Sequence, residues 1–184
     1  GGDASGNLTG LADKKVVVIG SGATAATLVP AIAADVAHVT LLQRSPTYFI
    51  PGRNANELAD TLRELDIDEN WVHEIVRKKI LFDQAAFTRR ALEEPEAVTK
   101  DLLAGVRAFL GEDYDVDKHF TPRYRPWRQR IAFVPNGDLF QGIASGKAAV
   151  VTDEIEAFTE KGILLKSGET LEADIIVTAT GFDL

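Results

Sequence analysis

The sequence predicts an α/β protein: a Rossmann-like, mostly parallel sheet in three layers, with a helical insertion and an antiparallel β-hairpin. Three observations predict it. Val16-Val17-Val18-Ile19 is wholly apolar, as a strand buried on both faces should be, and it runs into Gly20-Ser21-Gly22-Ala23-Thr24-Ala25, which opens a helical pattern. A second apolar strand, His38-Val39-Thr40-Leu41-Leu42, follows at the spacing of a strand–helix–strand unit. A last apolar run, Asp174-Ile175-Ile176-Val177-Thr178, closes the chain after a hairpin pattern that turns at Lys161-Gly162.

Taken in order, residues 1–14 are rich in Gly, Ser, Asn and Asp and read as a flexible linker, with Leu8 and Leu11 as apolar anchors. The rest, 15–184, reads as one domain. Strand one covers 15–20 and helix one 23–34. Pro30 lies inside that helix, where it removes a backbone hydrogen bond at a cost of about 3 kcal/mol, yet Leu28, Val29 and Ile32 carry the apolar face through it. Strand two is 38–43. Residues 45–55, punctuated by Pro46, Pro51 and Gly52, read as a loop. Asn56 has the chemistry of an N-cap for a helix over 57–65. Trp71, Ile75, Phe82 and Ala85 give helical periodicity over 69–93, with Trp71 and Phe82 expected in the core and Glu93-Glu94 on a solvated face. Val98, Leu102, Val106 and Phe109 do the same over 95–110, which Gly111 ends.

This block separates strand two from the next strand by far more than an ordinary crossover, so about 54–118 reads as an insertion on the core. Residues 112–136 are rich in Pro, Arg and aromatics and read as irregular. A short helix over 138–145 stops at Gly146, and strand three is Ala148–Thr152. Residues 155–158 and 163–166 form the hairpin, and 174–178 reads as a final buried strand.

The turn after strand one carries the chemistry. A pyrophosphate needs donors that approach without a side chain in the way. Gly20 permits the tight turn, Gly22 lets the backbone come close, and small Ala25 keeps helix and strand in contact. The first free amides of the helix, near Ala23, Thr24 and Ala25, point at the anion, aided by the helix dipole, and the Thr24 hydroxyl adds a donor. Strand two ends in Gln43-Arg44-Ser45 rather than in an acid. An acid there accepts from ribose hydroxyls and repels a 2′-phosphate, whereas Arg44 pairs with one, so NADP(H) is expected over NAD(H).

Composition excludes several classes. The chain has 184 residues, 45% of them hydrophobic, with a net charge of −8, no Cys and no Met. That acidity argues against nucleic acid and against an anionic membrane surface, although Arg123, Arg125, Arg128 and Arg130 alternate with Tyr124 and Trp127. No apolar run is long enough for a bilayer. Lack of cysteine removes disulfides and thiolate metal sites and suits a cytoplasmic protein. His38, His73 and His119 are far apart in sequence, so no metal site is expected. No Gly-x-Ser-x-Gly elbow supports hydrolase chemistry.

Gly20–Ala25, Leu41-Leu42-Gln43-Arg44-Ser45-Pro46 and Thr178-Ala179-Thr180-Gly181-Phe182 resemble the NADP-binding domain of class B flavoprotein monooxygenases, the Baeyer–Villiger and flavin-containing monooxygenases. The likeness runs on through Asp115–Tyr124 and Pro126-Trp127-Arg128-Gln129-Arg130 and covers nearly everything after residue 14. It departs from the family in lacking a second Gly-x-Gly-x-x-Gly for FAD and the fingerprint ahead of the NADP motif.

The resemblance implies an isolated NADP(H)-binding domain, inactive alone, whose full-length parent holds an FAD domain. There NADPH would reduce FAD, and a peroxyflavin would attack a ketone or soft heteroatom. It further implies cofactor contacts at Gly20–Ala25, Gln43–Ser45 and Ala179, Thr180 and Gly181, and a catalytic role for Arg130. Two other readings stay open. An engineered or minimised Rossmann scaffold with weak or lost affinity fits the missing Cys and Met and the Gly-rich start. A stand-alone NADPH-dependent carbonyl reductase fits the turn but lacks a Tyr-x-x-x-Lys proton donor pair.

Overall fold

A computed structural model of the chain describes residues 9–181. Of the expected linker, residues 1–8 lie outside the described residues, as does Phe182.

The framework is a four-stranded parallel sheet made of β1 (Lys15–Ile19), β2 (His38–Gln43), β5 (Ala148–Thr152) and β9 (Ile175–Thr178), ordered β5-β2-β1-β9. Every carboxyl end therefore opens on one side. Between β2 and β5 run β3 (Tyr48–Gly52), α2 (Glu57–Glu64), α3 (Glu69–Glu93), α4 (Pro95–Leu110), α5 (Val116–Phe120), β4 (Ile131–Pro135) and α6 (Asp138–Ala144). After β5 come β6 (Ile155–Thr159), β7 (Gly162–Leu165) and β8 (Thr170–Glu172), an antiparallel sheet ordered β6-β7-β8.

Strand alternation divides the core. Val16, Val18, Val39 and Leu41 face helices α1 (Ala23–Ile32) and α6, whereas Val17 and Leu42 face Ile163 and Leu165 of the antiparallel sheet. One outer layer is helical and the other is β. Phe49, Phe120 and Phe140 meet edge to face at centroid distances of 5.6 to 6.2 Å and fill the helical side. Helix α1 continues through Pro30 to Ile32, two residues short of the expected end.

Four expectations need correction. Residues 45–55 and 112–136 are not wholly irregular: β3 and β4 pair in parallel, Tyr48 with Ile131 through Gly52 with Pro135, and α5 lies between 112 and 136. Asp115 caps α5 by accepting from the Lys118 amide at 3.0 Å. The hairpin is a three-stranded sheet, because β8 adds to β7. The last strand is an edge strand, and Ile176 is 36% exposed because the antiparallel sheet does not extend over it. Trp71 and Phe82 are not core: they are 65% and 71% exposed, since α3 buries the face of Val72 and Ala91 instead.

Candidate functional site

The sheet order creates a switch point. From β1 the chain moves to β2 and β5 on one side, and β9 returns to the other, which leaves a crevice at the carboxyl ends. A cleft of about 820 Å³ opens there. Its lining comes from all four strand ends: Gly20 to Thr24 after β1, Arg44 and Ser45 after β2, Asp153 to Ile155 after β5, and Ala179 to Gly181 after β9.

Gly20 and Gly22 are glycine for different reasons. Gly20 has φ +129°, and a Cβ on it would sit 2.4 Å from the Ala179 carbonyl oxygen. That carbonyl cannot retreat, because the Ala179 amide donates to Ile19 O at 2.7 Å and the Gly20 amide to Leu42 O at 2.8 Å. Gly20 thus allows the ends of β1 and β9 to touch. Gly22 has φ −81°, open to any residue, and a Cβ on it would meet no protein atom within 4 Å. Neither backbone nor packing demands glycine at 22.

Gly22 is the N-cap of α1, and no side chain caps the helix. The Ala26 amide is bonded to Gly22 O at 3.0 Å, which leaves the amides of Ala23, Thr24 and Ala25 as the unpaired donors of the first turn. They carry the positive end of the helix dipole, and α1 has no acid in its first turn to neutralise it. Such an opening favours an anion.

Ser21 holds the loops together. Its hydroxyl donates to Ser45 O at 3.3 Å and shares a hydrogen bond with Thr47 Oγ1 at 2.9 Å, tying the glycine turn to the segment carrying Arg44. Arg44 is exposed at the cleft wall.

Of the residues expected at the site, Gly20, Ser21, Gly22, Ala23, Thr24, Arg44, Ser45, Ala179, Thr180 and Gly181 line this cleft. Ala25 is buried beneath it, packing α1 on the sheet. Gln43 is 2% exposed and its side chain turns away: Nε2 donates to His119 O at 2.7 Å and to Thr152 Oγ1 at 2.9 Å, while buried Oε1 has no partner. Its backbone oxygen accepts from the Asp153 amide at 2.9 Å, so Gln43 braces the wall. Thr152 Oγ1 also meets His119 Nδ1 at 2.9 Å, and burial pushes His119 below the ordinary histidine value. Arg130 is exposed just before β4 and is not part of the lining, though its neighbour Gln129 is.

Sequence reasoning missed Gln129, Asp153, Glu154 and Ile155 as wall residues. The signal for the last three was their place directly after strand three, at the same sheet edge as Arg44. Among the described residues no three metal-type side chains cluster, and no helix is long and apolar enough to cross a membrane.

Comparison with known proteins agrees with this architecture. No family model matches the chain. It is homologous to FAD-containing monooxygenases: it is 50% identical over 172 residues to EthA of Mycobacterium tuberculosis, covering 93% of this chain and 35% of that protein. With EthA of Mycolicibacterium smegmatis the identity is 47% over 174 residues, covering 94% and 35%. The chain therefore spans about a third of the length of these relatives. The fold is that of Baeyer–Villiger monooxygenases. OTEMO in complex with FAD and NADP superposes with a TM-score of 0.70 at 20% identity, covering 98% of this chain and 40% of that one. A cyclohexanone monooxygenase mutant from Rhodococcus sp. Phi1 bound to NADP+ gives 0.66 at 20% identity, covering 98% and 42%.

Proposed function

We propose that this chain, which spans about a third of the length of the FAD-containing monooxygenases it matches, is the portion of such an enzyme that binds NADP(H). One observation carries the reading. Gly22 stands at the mouth of α1 with an ordinary φ and with open space where a Cβ would be, so the room left by the missing side chain is there for something outside the protein's own packing. A dinucleotide pyrophosphate resting on the α1 amides is that something.

The donor set suits the cofactor. Amides of Ala23, Thr24 and Ala25 would hold the pyrophosphate, and Gly20 keeps β9 close enough for Ala179, Thr180 and Gly181 to form the opposite wall. Arg44 and Ser45 would receive the 2′-phosphate, with Arg44 supplying a permanent charge. Bound there, the nicotinamide supplies hydride in the whole enzyme. The domain spanning 15–184, with its inserted helices, would serve as holder, and the flavin would come from the remaining two thirds of the protein. Arg130, exposed beside the lining residue Gln129, is our candidate for the catalytic cation.

Titration with NADPH and NADH tests the reading. Saturable binding, tighter for NADPH and weakened roughly tenfold by Arg44→Ala, is expected, since one charge-assisted pair is worth about 1.4 kcal/mol or more. Indifference to both nucleotides refutes it.

A further inference from the structure

We infer that Asp153 and Glu154 set how strongly the cleft prefers a phosphorylated over an unphosphorylated dinucleotide, and that Lys166 keeps Glu154 off Arg44. The inference rests on the dinucleotide reading and concerns residues which that reading leaves unused.

A cleft built only for a polyanion would carry cations, yet this one has Asp153 and Glu154 in the same wall as Arg44. Asp153 is fixed. Its Oδ1 accepts from the Glu154 amide at 2.7 Å and its Oδ2 from the Ser167 amide at 3.3 Å, with the Asp153 amide anchored on Gln43 O at 2.9 Å. All its hydrogen-bond partners are neutral, so its charge is held in place, and the Lys118 charge acts on it only as the smallest of the causes that lower its carboxyl. Hydrogen bonds from Ser167, then from Glu154, hold its carboxyl below the usual carboxylate range.

Glu154 differs. Its Oε2 accepts from Lys166 Nζ at 2.7 Å, and the Lys166 amide donates to Glu154 O at 2.9 Å, which pins the residue to the antiparallel sheet. The Lys166 hydrogen bond is the main cause that lowers the Glu154 carboxyl, with the Arg44 charge contributing after it. Glu154 therefore feels Arg44 but is paired elsewhere. Without Lys166, Arg44 is the other cation whose charge acts on this carboxylate at the cleft wall.

A 2′-phosphate adds negative charge that only the phosphorylated nucleotide carries. Repulsion by carboxylates within a Debye length acts on that difference, and the Glu154–Arg44 competition acts on the same group. Both effects weigh more heavily on NADPH than on NADH, which carries only the pyrophosphate charge that the two share.

The test measures dissociation constants of NADPH and NADH by titration at low salt. Asp153→Asn is expected to tighten NADPH roughly threefold to tenfold and leave NADH within about twofold. Lys166→Gln is expected to weaken NADPH by a similar factor, and adding Glu154→Gln to it should restore or exceed the original affinity. Equal changes for both nucleotides, or none, overturn the inference while leaving the cofactor reading intact. Equal weakening by Asp153→Asn would instead mark the carboxylate as a contact to the shared adenosine. Failure of the unsubstituted chain to bind either nucleotide overturns both.

Discussion

The two glycines of the turn should separate folding from binding. Gly20→Ala puts a Cβ at 2.4 Å from Ala179 O and 2.9 Å from its carbonyl carbon, at a φ of +129°. The backbone conformation alone costs about 1–3 kcal/mol. Relief of the overlap requires β9 to move from β1, and it disturbs the 2.7 Å bond from the Ala179 amide to Ile19 O. A total loss of about 3–5 kcal/mol follows. In a domain of this size that lowers the melting temperature by roughly 6–20 °C.

Gly22→Ala meets none of these obstacles. Its φ of −81° suits alanine, and the new methyl touches nothing. Stability should stay level within about 1 kcal/mol, because the freedom lost by the unfolded chain offsets the poorer N-cap that alanine makes. The methyl projects into the space that the pyrophosphate needs, so nucleotide binding should fall at least tenfold.

Thermal unfolding by circular dichroism, with and without NADPH, reads both effects. Ligand at a hundredfold over its dissociation constant stabilises by about 2.7 kcal/mol in the unsubstituted chain. At the same ligand concentration a tenfold loss of affinity leaves about 1.4 kcal/mol, so the shift should fall by half or more in Gly22→Ala while the melting temperature without ligand holds. A Gly22→Ala variant that keeps the full ligand-induced shift, or a Gly20→Ala variant as stable as the parent, refutes the division of labour.

Three further outcomes follow from the geometry. Gln43→Ala should destabilise the fold by about 1–3 kcal/mol in denaturant titration, because His119 O loses its donor, while NADPH affinity normalised to folded protein stays within about twofold. His119 is held mainly by burial below its ordinary value of about 6.5, so the unfolded chain takes up a proton at higher pH than the native one. Its contribution to stability is complete above about pH 6.5 and declines as the pH falls below it. Urea midpoints from pH 8 to pH 5 should lose that component of their slope in His119→Gln. Replacing Trp71 and Phe82 together by Gln should leave the melting temperature within about 2 °C, because both side chains face solvent; a loss like that of a core aromatic, about 3–5 kcal/mol each, would contradict their exposure.

The sequence by itself determined the features whose signals lie within a few residues of each other. The apolar run of β1, the glycine turn and the opening of α1 form one continuous stretch, so sterics and hydrogen bonding specify them together. The same holds for Asn56, whose side chain accepts from the Ala59 amide at 3.0 Å, and for Gly111 with φ +83° at the end of α4. Arg44 was legible as a cleft residue because its distance along β2 from the glycine turn is set by strand geometry.

Only the tertiary structure decided the rest. Strands β3 and β4 are each short, and β3 contains Pro51 and Gly52; neither is a convincing strand until pairing across about eighty residues satisfies its backbone. Helix α3 has apolar residues around more than one face, so periodicity could not choose Val72 over Trp71 for burial; packing against α2 and α4 did. Asp153 and Glu154 reach the cleft because β5 joins β2 in parallel register, Thr152 opposite Gln43, which brings residues about a hundred apart in sequence to one sheet edge. Local chemistry writes a turn, but only chain closure over long separations selects which side chains share a wall.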